Sequence, residues 1–163
     1  MRSTVTGKPP VNPDDAPVPN DAKRPDGQHV DHWVLSPEER ARGFVRPVRN
    51  CYTHVGPPGP QNPLRDLTPH EREVYDPEYA KYEEYPPLVQ AEGKLGRFWT
   101  QAQLDAIGQG CGRTTLMPRA IAETYAVNPG YYGSTFCSGC QKYLAVGERG
   151  EFVWEGTQER VGT

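Results

Sequence analysis

At 163 residues the chain has the length of one ordinary domain, or of a smaller domain with long arms. Apolar residues make up 35%, and there are 18 prolines and 17 glycines, so the core must be small and of the kind that a metal, a disulfide or a partner completes. The net charge of −3, without a block of like charges, gives no overall signature of nucleic-acid binding, and no apolar run approaches the length of a membrane span.

Residues 1–31 read as an extended arm. Six prolines (Pro9, Pro10, Pro13, Pro17, Pro19, Pro25) break helices and withhold ladder hydrogen bonds, and the arm has too few apolar residues to bury itself. It is expected to add nothing to domain stability, and reads either as a disordered tail or as an extended arm that orders against a partner. Residues 1–11 lack the apolar stretch of a secretory leader. A reducing compartment is the default expectation, and there four cysteines favour a metal over two disulfides.

The first apolar cluster is His32-Trp33-Val34-Leu35. Ser36-Pro37-Glu38-Glu39 then has the form of a helix start, with Ser as cap, Pro in the first turn and acids behind it, and Gly43 keeps the helix short. Residues 44–55 read as extended, with Pro47 favouring a sheet edge. Residues 56–96 look like an insertion, opened by Gly56-Pro57-Pro58-Gly59-Pro60 and closed by Pro86-Pro87 and two glycines. Inside it Thr68-Pro69 predicts a second short helix. Tyr75, Tyr79, Tyr82 and Tyr85 follow at spacings of three or four, but Pro77 and Pro86 limit any helix there. These tyrosines are expected to cover a surface or to meet a partner, and Glu83-Glu84 reads as a solvated pair.

Thr100 with Gln103 fits a capping box for a helix to about Ile107, stopped by Gly108 or Gly110. Cys111-Gly112 follows. The clearest helix starts near Pro118, with Met117, Ile121, Ala122 and Tyr125 on one face, and ends at Asn128-Pro129-Gly130. After Cys137-Ser138-Gly139-Cys140 a hairpin is predicted, from 143–146 through a 147–150 turn to 151–155. Residues 32–55 and 97–163 thus form the expected domain, a small α+β fold of short helices, knuckle and C-terminal β-hairpin.

Cys137-x-x-Cys140 with a glycine inside is a turn that aims two thiolates at one ion. The same spacing serves redox pairs, but those usually open a helix after a strand, whereas a hairpin is expected here. Cys111 beside Gly112 is a third ligand. The fourth is Cys51 or His54: three apart on an extended segment, they fall on opposite faces, so one of them meets the ion. Four cysteines suggest Cys₄, and Cys₃His is equally familiar zinc chemistry.

No Ser-His-Asp or Cys-His nucleophile signature stands out, and Gly108-Gln109-Gly110-Cys111-Gly112 lacks the Lys-Ser/Thr of a phosphate loop. His29, His32 and His70 read as surface histidines, although His29-x-x-His32 offers two ligands for a second metal. Arg40, Arg42, Arg46 and Arg49 make the best case for nucleic-acid contact, as a basic strip near Phe44 and Tyr52.

The stretches Arg46-Pro47-Val48-Arg49-Asn50-Cys51-Tyr52-Thr53-His54, Cys111-Gly112-Arg113-Thr114-Thr115-Leu116-Met117, Ala122-Glu123-Thr124-Tyr125-Ala126 and Tyr132-Gly133-Ser134-Thr135-Phe136-Cys137-Ser138-Gly139-Cys140 carry a resemblance, as do Phe152-Val153-Trp154-Glu155-Gly156-Thr157 and Arg160-Val161-Gly162-Thr163. Together they resemble small zinc-motif proteins of bacteriophages of high-GC hosts. In that pattern the Tyr-x-His step lies near a Cys-Gly, without the long insertion present here. The resemblance covers about half the chain. It implies His54, Cys111, Cys137 and Cys140 as ligands of one structural zinc, with Cys51 at a variable position. The expectation is a non-enzymatic phage structural or accessory protein, attached to a capsid or tail protein through extended arms, in the virion or the host cytoplasm. A nucleic-acid-binding regulator and an enzyme with catalytic zinc are the alternatives.

Overall fold

The computed structural model describes residues 2–5 and 22–163. In chain order its elements are β1 (Arg2–Thr4), β2 (Trp33–Leu35), α1 (Pro37–Ala41), β3 (Cys51–His54), β4 (Leu64–Asp66), α2 (Pro69–Val74), β5 (Tyr79–Glu84) and α3 (Pro87–Gln90). They continue with β6 (Gly96–Thr100), α4 (Gln101–Ala106), β7 (Thr114–Leu116), α5 (Arg119–Val127), β8 (Ser134–Cys137), β9 (Lys142–Ala145) and β10 (Phe152–Trp154). Short helices and small antiparallel sheets make an α+β chain. It divides into two compact units, Met1–Val55 with Gly110–Thr163, and Gly56–Gln109.

The first unit is built on β3. This strand is the centre of a three-stranded antiparallel sheet of order β10-β3-β7, in which His54 faces Phe152 and Cys51 faces Leu116. Against it packs α5, whose buried residues Ile121, Ala122, Thr124, Tyr125 and Ala126 include the apolar face expected from their spacing. The core joins Val34, Tyr52, Met117, Ile121, Tyr125, Phe152, Trp154 and Val161. Each such side chain contributes about 1.5–3 kcal/mol on burial, and so few of them leave a core that gains much from a cross-link. Tyr52 ties the sheet to the next hairpin: its hydroxyl donates to the Phe136 carbonyl and accepts from Thr135 Oγ1 at 3.1 Å. At Ser36 the capping box is complete, the serine hydroxyl accepting from the Glu39 N–H and the Glu39 carboxylate from the Ser36 N–H.

Two expectations need correction in this unit. The C-terminal hairpin of 143–146 with 151–155 does not form. β9 pairs instead with β8, register Cys137↔Lys142, so the hairpin turns through the knuckle itself, and β10 crosses to β3. The reason is burial: Phe152, Val153 and Trp154 are all buried, and a strand paired only with half-exposed β9 could not cover them. The proline-rich arm also begins inside the fold. Arg2–Thr4 pairs with β2, Thr4 is buried, and the Val5 N–H donates to the His32 carbonyl at 3.1 Å. Residues 6–21, most of the expected arm, lie outside the described residues.

The second unit is a β4-β5-β6 antiparallel sheet with α2, α3 and α4. It runs to Gln109 where composition suggested an end at 96, because β6 pairs with β5 along Gly96–Thr100 and α4 follows directly under the predicted Thr100 cap. The tyrosine run holds a strand. Tyr79 and Tyr82 lie on β5 and join Tyr75 around Phe98, with ring centroids 4.7–4.9 Å apart. Glu83 is not a solvated residue either. It is 3% exposed, Oε2 accepting from Trp99 Nε1 and Oε1 from the backbone N–H groups of Gln61 and Asn62, each at 2.9 Å. Burial pushes its carboxyl up, but these donors outweigh burial and hold it below its ordinary value.

Candidate metal centre

Three separate stretches of the first unit bring ligands together. Strand alternation in β3 turns Tyr52 and His54 inward and leaves Cys51 and Thr53 on the other face. The Cys51 thiol lies 3.4 Å from Asn50 Oδ1 and takes no part in the cluster. Cys111 reaches the same place from the stretch before β7, where the Gly112 N–H donates to the His54 carbonyl at 2.9 Å. Cys137 ends β8, and Cys140 stands on the turn into β9.

The ligand atoms of His54, Cys111, Cys137 and Cys140 all lie within 4.8 Å of one another, close enough to hold a metal ion. Cys111 Sγ and Cys137 Sγ are 3.5 Å apart, as are Cys140 Sγ and His54 Nδ1. A tetrahedron with metal–sulfur bonds of about 2.3 Å and a metal–nitrogen bond of about 2.0 Å has edges of about 3.8 Å between sulfurs and about 3.5 Å between sulfur and nitrogen. Those two separations are on that scale, and the widest separations in the set, within 4.8 Å, close on an ion with a shift of about 1 Å.

Backbone amides turn toward the sulfurs, as thiolates require. The Arg113 N–H points at Cys111 Sγ at 3.5 Å and the Cys140 N–H at Cys137 Sγ at 3.4 Å. The knuckle closes with Gln141 in the left-handed region (φ 54°), its N–H bonded to the Cys137 carbonyl at 2.8 Å. Gly139 is needed for space: a Cβ there would sit 2.6 Å from Cys111 Sγ and 3.1 Å from Arg113 Cβ.

His54 is held from both sides of its ring. Nε2 lies 3.0 Å from Glu151 Oε1, while Nδ1 faces the thiols and the Cys111 N–H at 3.2 Å. A proton on Nε2, donated to the carboxylate, leaves the Nδ1 lone pair on the ligand side, the carboxylate–histidine arrangement that orients metal-bound imidazoles. Sequence reasoning missed Glu151. Its only signal was its place before Phe152, the residue paired with His54, and that register is invisible until the strands are matched.

The thiols do not share charge evenly. Burial pushes Cys111 up, but the Arg113 N–H, His54 and the other two thiols outweigh it and lower it to about 7. Burial and then hydrogen bonding to Cys137 and Cys111 push Cys140 up to about 11. A cation bound here replaces the proton that Cys140 retains.

The other candidates go elsewhere. His29 and His32 pack on Tyr143, ring centroids 5.1 and 6.5 Å away, and His70 is exposed. Among the described residues no second group of three such ligands assembles. The arginine strip is largely paired: Arg40 lies 3.4 Å from Glu123, Arg49 2.8 Å from Glu159, and Arg46 3.9 Å from the same carboxylate. No helix among the described residues is long and apolar enough to cross a membrane. No protein-family model, curated protein or solved structure matches the chain.

Proposed function

We propose that His54, Cys111, Cys137 and Cys140 hold one zinc ion as a structural centre, and that the chain is a non-enzymatic accessory protein acting by docking. The observation that carries the reading is the closed ligand set. Four protein donors fill a tetrahedral shell, whereas catalytic zinc keeps a position open for water or substrate. Three sulfurs and one imidazole select a borderline-soft ion such as zinc over calcium or magnesium. Metal content of freshly purified protein tests this: about one zinc per chain is expected, with loss of fold on chelation. A fold that survives chelation with no zinc bound refutes it.

The docking role is supported by composition and by the resemblance to phage zinc-motif proteins. A segment so rich in proline loses little entropy when it docks in an extended form, and a capsid or tail protein is the partner that the resemblance suggests. Co-sedimentation of the chain with particles that lack it, with and without residues 6–21, is the test. Equal attachment removes the segment from the reading, and no attachment by either removes the particle. The nucleic-acid alternative is weakened because Arg40, Arg46 and Arg49 already face carboxylates.

A further inference from the structure

We propose that an aromatic groove on the second unit receives the proline-rich segment 6–21 of a second copy of the chain. This rests on the reading that segment 6–21 docks, but the surface it names is a second copy of the chain and not a particle protein, so sedimentation of the chain alone tests it apart from attachment to particles. The groove has a volume of about 840 Å³, and the rings of Tyr75, Tyr82, Tyr85 and Phe98 with Leu95 supply its apolar lining. Tyr75 is 47% exposed and Leu95 65%, so this is an open platform and not a core. It is held in shape before anything binds: Arg65 lies 4.4 Å over the Tyr82 ring, its guanidinium bonded to both Glu71 oxygens at 2.8 and 3.1 Å.

Aromatic-lined grooves of this kind take proline-rich chains, because polyproline helices are already extended and lose little entropy on docking. Residues 6–21 hold five prolines in sixteen, among them Pro10-Val11-Asn12-Pro13. With three residues per turn and about 3.1 Å per residue, Pro10 and Pro13 fall on one edge of such a helix, about 9 Å apart. Five residues in that form span about 16 Å, the length of a five-residue strand such as β6, whose Gly96, Arg97 and Phe98 line the groove.

Charge selects among proline-rich ligands. The segment carries Asp14, Asp15 and Asp21 against Lys8. Lys94 on the groove pairs with no carboxylate among the described residues, His70 and Arg97 line the groove with it, and the Arg65 guanidinium there is already paired with Glu71. Asp14 directly follows Pro13, so a docked Pro10–Pro13 edge carries the acidic pair with it, and Lys94 is the cation on the groove that it can match. Every copy of the chain carries both halves of the match.

The experiment is sedimentation velocity of the full chain over about 1–100 µM, the range where micromolar association is visible. Concentration-dependent self-association is expected. Pro10→Ala with Pro13→Ala should weaken it at least about tenfold, and Lys94→Glu by about threefold, more at low salt. Asp14→Lys with Asp15→Lys should restore the Lys94→Glu chain. Lys94 is exposed, and in each variant zinc content confirms the fold of the first unit and the fluorescence of buried Trp99 that of the second. A chain that stays monomeric throughout overturns the proposal, as does association unaffected by the arm variants. So does an oligothymidylate that shifts the NMR signals of Tyr75 and Tyr82 while a peptide of residues 6–21 does not. None of these failures touches the zinc reading, which metal analysis decides separately.

Discussion

The sharpest perturbation of the metal centre changes no ligand. Gly139→Ala places a Cβ 2.6 Å from Cys111 Sγ. Ordinary non-bonded contact begins near 3.5 Å, so the sulfur or the knuckle must retreat by about 1 Å. Metal–ligand distances tolerate only about 0.2 Å. Relief by backbone movement costs about 1–3 kcal/mol, the usual range for an overpacked site, and that cost falls on the metal-bound state, in which Cys111 cannot swing away. Zinc affinity should therefore drop about 5- to 150-fold at 1.4 kcal/mol per tenfold. Competition against a chromophoric chelator measures it. Gly133→Ala is the control, since a Cβ there meets nothing within 4 Å, and it should bind zinc as the parent does. If Gly139→Ala keeps its zinc affinity within twofold of Gly133→Ala, Cys111 is not a ligand in this geometry.

Four further outcomes are expected. Cys137→Ser and His54→Ala should lose zinc and fold, while Cys51→Ser keeps both, because its thiol lies off the cluster; metal retention after gel filtration separates them. Glu151→Gln should weaken zinc binding about 10- to 100-fold through the lost grip on His54 Nε2; chelator competition showing no change would remove Glu151 from the site. Glu83→Gln should destabilise the second unit by about 2–4 kcal/mol, since all three bonds lose their charge assistance and the amide, with one acceptor oxygen, turns its NH2 toward either the Trp99 N–H or the Gln61 and Asn62 N–H groups; Trp fluorescence in a urea titration reports it, with zinc retained. Tyr125 and Tyr132 are pushed up by burial from the ordinary value of 10.0. Their protonated phenols stabilise the fold fully below pH 10, and that contribution is lost as pH rises above it. Their tyrosinate absorbance should appear only together with loss of near-ultraviolet dichroism.

What the sequence reveals here is mostly local. The caps at Ser36, Thr68 and Thr100 lie within three residues of the groups they bond, so their helices are legible. The Cys137–Cys140 turn is equally local. The choice of His54 over Cys51 follows from strand parity together with the resemblance, and parity alone leaves it open. Long-range pairing is what misleads. Glycines at 147 and 150 signal a turn, but nothing nearby says that Phe152–Trp154 continues past it to β3. The tyrosine spacing suggests a helical face, whereas Pro77 and the β5–β6 pairing make part of it a strand. Glu151 and Glu83 look like surface acids until partners distant in sequence converge on them.

The ligands His54 and Cys111 stand at the two ends of the excursion Gly56–Gln109, and their backbones are already joined there, Gly112 N–H to His54 carbonyl. An ion held by this ligand set would therefore act as a clasp across the mouth of a graft. A clasped mouth lets cargo of any length hang between its lips at little extra loop-closure cost, about 0.6 kcal/mol per doubling. A short glycine-rich bridge in place of 56–109 should thus leave a smaller protein that still closes around its metal. By the same logic the site is a socket into which other modules can be spliced.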